Sequence, residues 1–354
     1  MNDFPLTTCE QEKRQRIMNN HIESGPFGPV VSMTGQLAMN VFDIDRVGRN
    51  ISKTTSPAFK LKTDPRTGEC ICKATKIGAS VQNLLMWPLQ QIKSCLMVHQ
   101  LSPESKLLLE ALIDLQQNMA YLTHYGDQEA RINVVVNELR INFKKPAFIR
   151  QCYMWNNAIK ENLNEVNSFI KKRLQNFNLL QVCSFEINQA GLNVAGNYPL
   201  LMELHHEMET ERKKALKRFY TAIEEDIFPQ QLAGILCTTG YSPYKGLYHK
   251  IDLIFWGSEN HLPMVMNMHD ITACWHKATL PNQTTLHGTC LASQIYADVN
   301  FGLLADGDQL GLSMLKAHFL TRIETNYCFQ LSSRVFKSHI EIYQPELLKD
   351  DLAA

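Results

Sequence analysis

The chain has 354 residues, 45% of them hydrophobic, with Lys+Arg 35 balanced by Asp+Glu 35. Such a chain can bury a large core, and at about 100–200 residues per domain it should hold two domains or three. Balanced charge excludes a whole-protein field that would draw it onto nucleic acid, so any such binding has to come from a local patch.

Ten cysteines are scattered along the chain. Most of them, including Cys95, Cys183, Cys237, Cys274 and Cys290, stand among apolar neighbours, the pattern of reduced, buried thiols. Cys70 and Cys72 form a lone Cys-x-Cys without the second pair that a four-ligand zinc site needs. No basic-then-apolar leader opens the sequence, and no apolar run approaches the roughly 20 residues of a membrane span. The expected compartment is the cytosol, with no membrane partner.

In chain order, residues 8–22 predict a short helix that ends at Gly25-Pro-Phe-Gly-Pro29. Residues 30–77 mix Ser, Thr, Lys, Gly and Pro with short apolar pieces, which predicts hairpins or extended loops rather than helices. Residues 1–78 are therefore expected to be an irregular segment with one short helix. A basic run lies here, made of Arg46, Arg49, Lys53, Lys60, Lys62, Arg66 and Lys73; it fits a solvated surface or a nucleic-acid arm.

Residues 79–175 predict a helical bundle. Val81, Leu84, Leu85, Leu89, Ile92 and Leu96 follow the helical period, with Pro88 expected to kink that helix. Ser102-Pro103-Glu104 supplies an N-cap, a proline at the first helical position and an acid in the first turn. Two further helices are expected over 128–142 and 146–175. Stacked amphipathic helices of this kind suit a scaffold, or the binding of another protein through residues 79–175.

After residue 176 the pattern changes to strands at 179–187, 232–238, 247–256, 292–299 and 335–342. Between them come helices at 199–228, 269–278 and 311–325. Without regular βαβ units, this order predicts an antiparallel sheet with helices on one side over 176–345, followed by a tail at 346–354. The fold class is α+β: a helical N-terminal half, then an antiparallel sheet flanked by helices.

The chemical edge of this region is Gly246-Leu-Tyr-His-Lys-Ile-Asp-Leu-Ile-Phe-Trp-Gly257. His249, Lys250 and Asp252 lead into an apolar strand, and alternation puts Lys250 and Asp252 on one face and His249 on the other. His205 and His206, with Glu203, Glu207 and Glu209, lie on a predicted helix without a His-Glu-x-x-His spacing, as a solvated acidic face would. No phosphate-binding glycine loop and no Gly-x-Ser-x-Gly elbow occurs.

Several features of the second half share an order. They are Leu180-Gln-Val-Cys-Ser-Phe-Glu-Ile187, the basic helix from Lys213 to Tyr220, Lys250-Ile-Asp-Leu-Ile-Phe-Trp256, Asp270-Ile-Thr-Ala-Cys-Trp275, His287-Gly-Thr-Cys290, Tyr296-Ala-Asp-Val-Asn-Phe-Gly302 and Phe319-Leu-Thr-Arg322. Together they resemble, over about residues 176–345, the inovirus replication-initiator family, whose C-terminal domain also occurs in the prophage proteins YagK and YfjJ. The resemblance implies a rolling-circle-initiator-like domain of a phage, prophage or mobile element that acts on single-stranded or hairpin DNA. In that family a tyrosine attacks a phosphodiester while two histidines and an acid hold a divalent metal. Here Lys250 and Asp252 stand at the two histidine positions, and Phe319 stands at the tyrosine.

The ligands that the resemblance leaves for Mg2+ or Mn2+ are Glu186, His249 and Asp252, which converge only if a bulge re-aims His249. Tyr327 is the substitute nucleophile to consider. The cations placed to meet DNA are Lys213, Lys214, Lys217, Arg218, Lys250 and Arg322. Two functions follow. One is a DNA-binding protein with nicking weakened or lost, a degenerate metal-dependent endonuclease; the other is a non-catalytic interaction protein acting through its helical half.

Overall fold

The structure is a computed structural model that describes residues 8–19, 22–25, 28–31, 33–96, 99–119, 127–189, 198–228, 231–242, 246–256, 268–279, 290–293, 303–305, 307–331 and 340–345. It divides into two compact units. The first comprises Met1–Ala158 with Tyr327–Phe329, and the second Ile159–Asn326 with Gln330–Ala354. The division falls inside one long helix, 18 residues before the change in sequence pattern at 176.

The first unit starts with α1 (Thr8–Asn19), the hairpin β1 (Ile22–Gly25) and β2 (Gly28–Val31), and α2 (Met33–Lys53). A second hairpin follows, β3 (Phe59–Thr63) and β4 (Cys70–Ala74), and then α3 (Lys76–Leu85), α4 (Leu89–Cys95), strand β5 (His99–Leu101), α5 (Pro103–Met119) and α6 (Asp127–Phe143). The expectation of hairpins or loops over 30–77 holds for β3 and β4 but not for α2. There Leu37, Val41, Ile44, Val47 and Ile51 repeat at helical spacing, and all are buried. Thr34, Gly35 and Gly48 look like breakers in sequence, yet the buried stripe outweighs their local preference. Gly48 has a packing reason: a Cβ there would lie 3.3 Å from the Glu104 carbonyl oxygen, at the start of α5.

Asp45 fastens the same two helices. Its carboxylate accepts from Ser102 Oγ at 2.5 Å and Ser105 Oγ at 3.1 Å, and meets Arg49 Nη2 at 2.6 Å. Ser102 caps α5 as expected, accepting from the Ser105 amide at 3.1 Å. Pro88 separates α3 from α4 instead of kinking one helix, because its ring leaves no amide to continue the ladder.

Helix α7 (Pro146–Phe177) enters the second unit at Ile159 and ends where Asn178, at φ 59°, turns the chain into β6 (Leu179–Gln189). Then come α8 (Tyr198–Ala222) with a π turn at Ile223–Ile227, β7 (Leu232–Ser242), β8 (Gly246–Trp256), α9 (Met268–Thr279), β9 (Cys290–Ser293), β10 (Leu303–Ala305), α10 (Gln309–Cys328), β11 (Phe329–Leu331) and β12 (Glu341–Tyr343). An antiparallel sheet runs in the order β10-β6-β8-β7-β12, with β9 pairing the far end of β6. The fold is α+β, a helical N-terminal half and an antiparallel sheet flanked by helices.

The helices cover both faces of the sheet, a correction to the expectation of one. Phe219, Trp275 and Phe228 pack on the face that carries Phe185, His249 and Phe255. Phe177 stacks on Trp256 of the opposite face, and Phe169 lies against Gly234 there. Strands buried on both sides explain the near-continuous apolar runs of β6, β7 and β8. Among the described residues, no helix is long and apolar enough to cross a membrane.

Candidate functional site

The candidate site grows from the middle of β8, between β6 and β7. Its register with β6 pairs Asp252 with Ser184 and Lys250 with Glu186, so these four side chains share one face. Register with β7 is regular from Gly234 to Ser242, and the one shift lies at Leu232/Gly234. No bulge therefore re-aims His249. It stays on the opposite face, and Glu186, His249 and Asp252 do not converge.

Asp252 is completely buried and surrounded by partners. Its Oδ1 accepts from Ser184 Oγ and lies 3.1 Å from His318 Nε2, and its Oδ2 is paired with Arg322 Nη1. Burial by itself would push the carboxyl's pKa up; Arg322, then His318 and Ser184, outweigh it and hold the group below its ordinary value. Arg322 is 1% exposed, and among the described residues its Nε and Nη2 have no hydrogen-bond partner.

The sequence expectation named Arg322 and missed His318. The signal was present: positions 318 and 322 are four apart on α10, which puts both side chains on one helix face with buried Phe319 beside them. Phe319 fills the core. Tyr327 lies in the last turn of α10, and its side chain falls outside the described residues.

On the opposite face His249 Nδ1 lies 2.9 Å from Thr239 Oγ1, and its ring meets Trp275 edge-on at 5.9 Å. Arg212 lies over the same tryptophan at 5.6 Å. Burial, then Arg212 and Lys213, push the imidazole's pKa well below its usual value, so His249 is neutral.

These donors do not fit a divalent metal. A cation already holds one oxygen of Asp252, and a lysine stands directly across from Glu186. Among the described residues, no three His, Cys, Asp or Glu side chains gather as a metal site would need.

The cations expected to meet DNA divide in two. Lys250 and Arg322 are buried: Lys250 lies on a central strand covered on both faces, and Arg322 points from α10 onto Asp252 of that strand, so neither offers a surface to a phosphate backbone. Lys213 is paired with Glu341, and Arg218 Nε donates to the Ala278 carbonyl at 2.8 Å. Lys214 and Lys217 are exposed, Lys214 lying 2.7 Å from Glu211. The expected stretches at 294–299 and 335–339, and residues 346–354, lie outside the described residues. Cys183, Cys237 and Cys274 are free and buried, and burial pushes the Cys237 thiol up to about 12. No protein-family model matches this chain, and neither a curated protein nor a solved structure matches it significantly.

Proposed function

We propose that this chain is a DNA-binding protein of rolling-circle-initiator type, carried by a phage, prophage or similar mobile element, that does not nick. One observation carries the reading: α10 lies against β8 so that Arg322 and His318 take both oxygens of Asp252. In the resembled family the matching helix brings a tyrosine to a metal held on the matching strand. Here the same juxtaposition closes on itself as a buried ion pair, with Phe319 in the core where a hydroxyl would be needed. The antiparallel sheet flanked by helices supports the same ancestry.

Labelled single-stranded and hairpin DNA provides the test. Binding should weaken steeply with salt and be indifferent to chelation of divalent metal. Absence of binding at low salt, or binding that needs Mg2+ or Mn2+, counts against the reading.

A second reading, an interaction protein acting through its helical half, is favoured by one feature. Ile149, Tyr153 and Met154 near the start of α7 are 56%, 67% and 61% exposed.

A further inference from the structure

The basic run that the site does not use forms a shaped object. In the β3–β4 hairpin, Lys60 stands directly opposite Lys73, and Lys62 opposite Ile71, so three lysines share one face. All three are exposed, as is Arg66 in the connecting turn. Among the described residues none of the four has an ion-pair or hydrogen-bond partner for its side-chain charge. The other face is anchored at one end only: Phe59 is 2% exposed and the half-buried Cys72 packs on the core of the first unit, while Leu61 between them is 39% exposed. Two lysines directly opposite in an antiparallel pair repel each other and weaken the ribbon. Nothing in the hairpin's own stability accounts for them.

The hairpin is also held firmly. Asn133 on α6 clamps Phe59 with two hydrogen bonds of 2.8 Å, amide to Oδ1 and Nδ2 to carbonyl. Thr75 Oγ1 donates to the Ala58 carbonyl at 2.8 Å. The turn is closed by the Gly68 amide on the Asp64 carbonyl at 2.9 Å, with Gly68 at φ 73°, where a Cβ would be strained. Fixed geometry means that little ordering is needed when the lysines meet a partner.

We propose that the β3–β4 ribbon is a duplex-DNA-binding arm. The proposal deepens the DNA-binding reading and moves the contact from α8 to the first unit. A two-stranded ribbon is of a size that the major groove admits. Lysines two residues apart on a strand are spaced about 6.8 Å, or two rises of a DNA strand, and so can address alternate phosphates of one strand. The lysine face carries one exposed apolar residue, Ile71, and no aromatic one, which suits a phosphate backbone rather than a lipid surface. A hairpin substrate has such a duplex as its stem.

The test measures binding of the full chain to a labelled random-sequence duplex by anisotropy, for the unaltered protein, Lys60→Gln/Lys62→Gln/Lys73→Gln, the same sites changed to Arg, and Lys214→Gln/Lys217→Gln. Three phosphate contacts predict a salt slope smaller by about 2.7 in the glutamine variant. Raising salt from about 50 to about 200 mM should then weaken the unaltered protein about 40-fold more than that variant. The arginine variant should restore the slope, which a misfolded ribbon would not. An unchanged slope in the ribbon variant overturns the proposal; if the α8 variant loses binding instead, DNA binding stands without this arm. No duplex binding by the unaltered protein overturns the arm, and single-strand binding then decides the wider reading separately. Ribbon-dependent binding to phosphatidylserine vesicles but not to duplex would mean that the lysines serve a membrane surface.

Discussion

Asp252 shows how one residue decides the chemistry. With Arg322, His318 and Ser184 around it, the carboxylate is a structural anchor, and removing it leaves a buried guanidinium without its counter-charge. Asp252→Asn should therefore cost about 3–5 kcal/mol in urea denaturation. Asp252→Leu combined with Arg322→Met should recover much of that loss, because a well-packed apolar pair is often no worse than a buried ion pair.

Two histidines, His249 buried and His318 largely covered, add a pH dependence. Burial, followed for His249 by Arg212 and Lys213, pushes its pKa well below the usual value; His318 is also lowered, burial outweighing the pull of Asp252. The folded state then binds fewer protons than the unfolded chain below about pH 6.5. Stability is fully present above that pH and falls as pH is lowered toward the folded values, by at most about 1.4 kcal/mol per pH unit for each histidine. Melting between pH 7.5 and 5.5 should show the fall, and His249→Gln should make it shallower; an unchanged slope would mean that His249 is not the group that titrates.

At the scale of the element, close backbone approach is what glycine permits in the first unit. A Cβ at Gly78 would fall on the Ala58 carbonyl, whose carbon lies 2.9 Å from it. Gly78→Ala should destabilise that unit by about 1–3 kcal/mol, since a backbone group cannot rotate aside. A melting temperature equal to that of the unaltered protein would show that α3 and β3 do not approach so closely.

The long periodic helices α5, α6 and α7 and the apolar strands β6, β7 and β8 were legible in the sequence because burial imposes their periods. Helix α2 was hidden because Gly48 marks a close approach to α5 there, not a turn. Alternation on β8 correctly separated His249 from Asp252. The ion-pair partners of Asp252 were not legible, since docking of α10 is a long-range event that no local pattern states. The same limit explains Lys250 and Arg322, which look like surface cations until strand order puts the first inside and the docking of α10 the second.

For the molecule as a whole, the division at Ile159 makes the last half of α7 part of the second unit. Val166, Phe169, Ile170 and Leu174 are buried there, each contributing about 1.5–3 kcal/mol. A fragment of residues 159–354 should unfold cooperatively, whereas 178–354 should not, as followed by circular dichroism on heating. Equal cooperativity would return the boundary to the change in sequence pattern near 176.

The central claim, that this fold has turned a nicking site into a buried ion pair, can be tested in one measurement. The protein is incubated with labelled single-stranded origin-like DNA and Mg2+ or Mn2+, then denatured and examined for protein-linked label. No covalent adduct should form under either metal. An adduct that forms with metal and disappears in Tyr327→Phe would contradict that claim, because a tyrosine on α10 would then be the nucleophile.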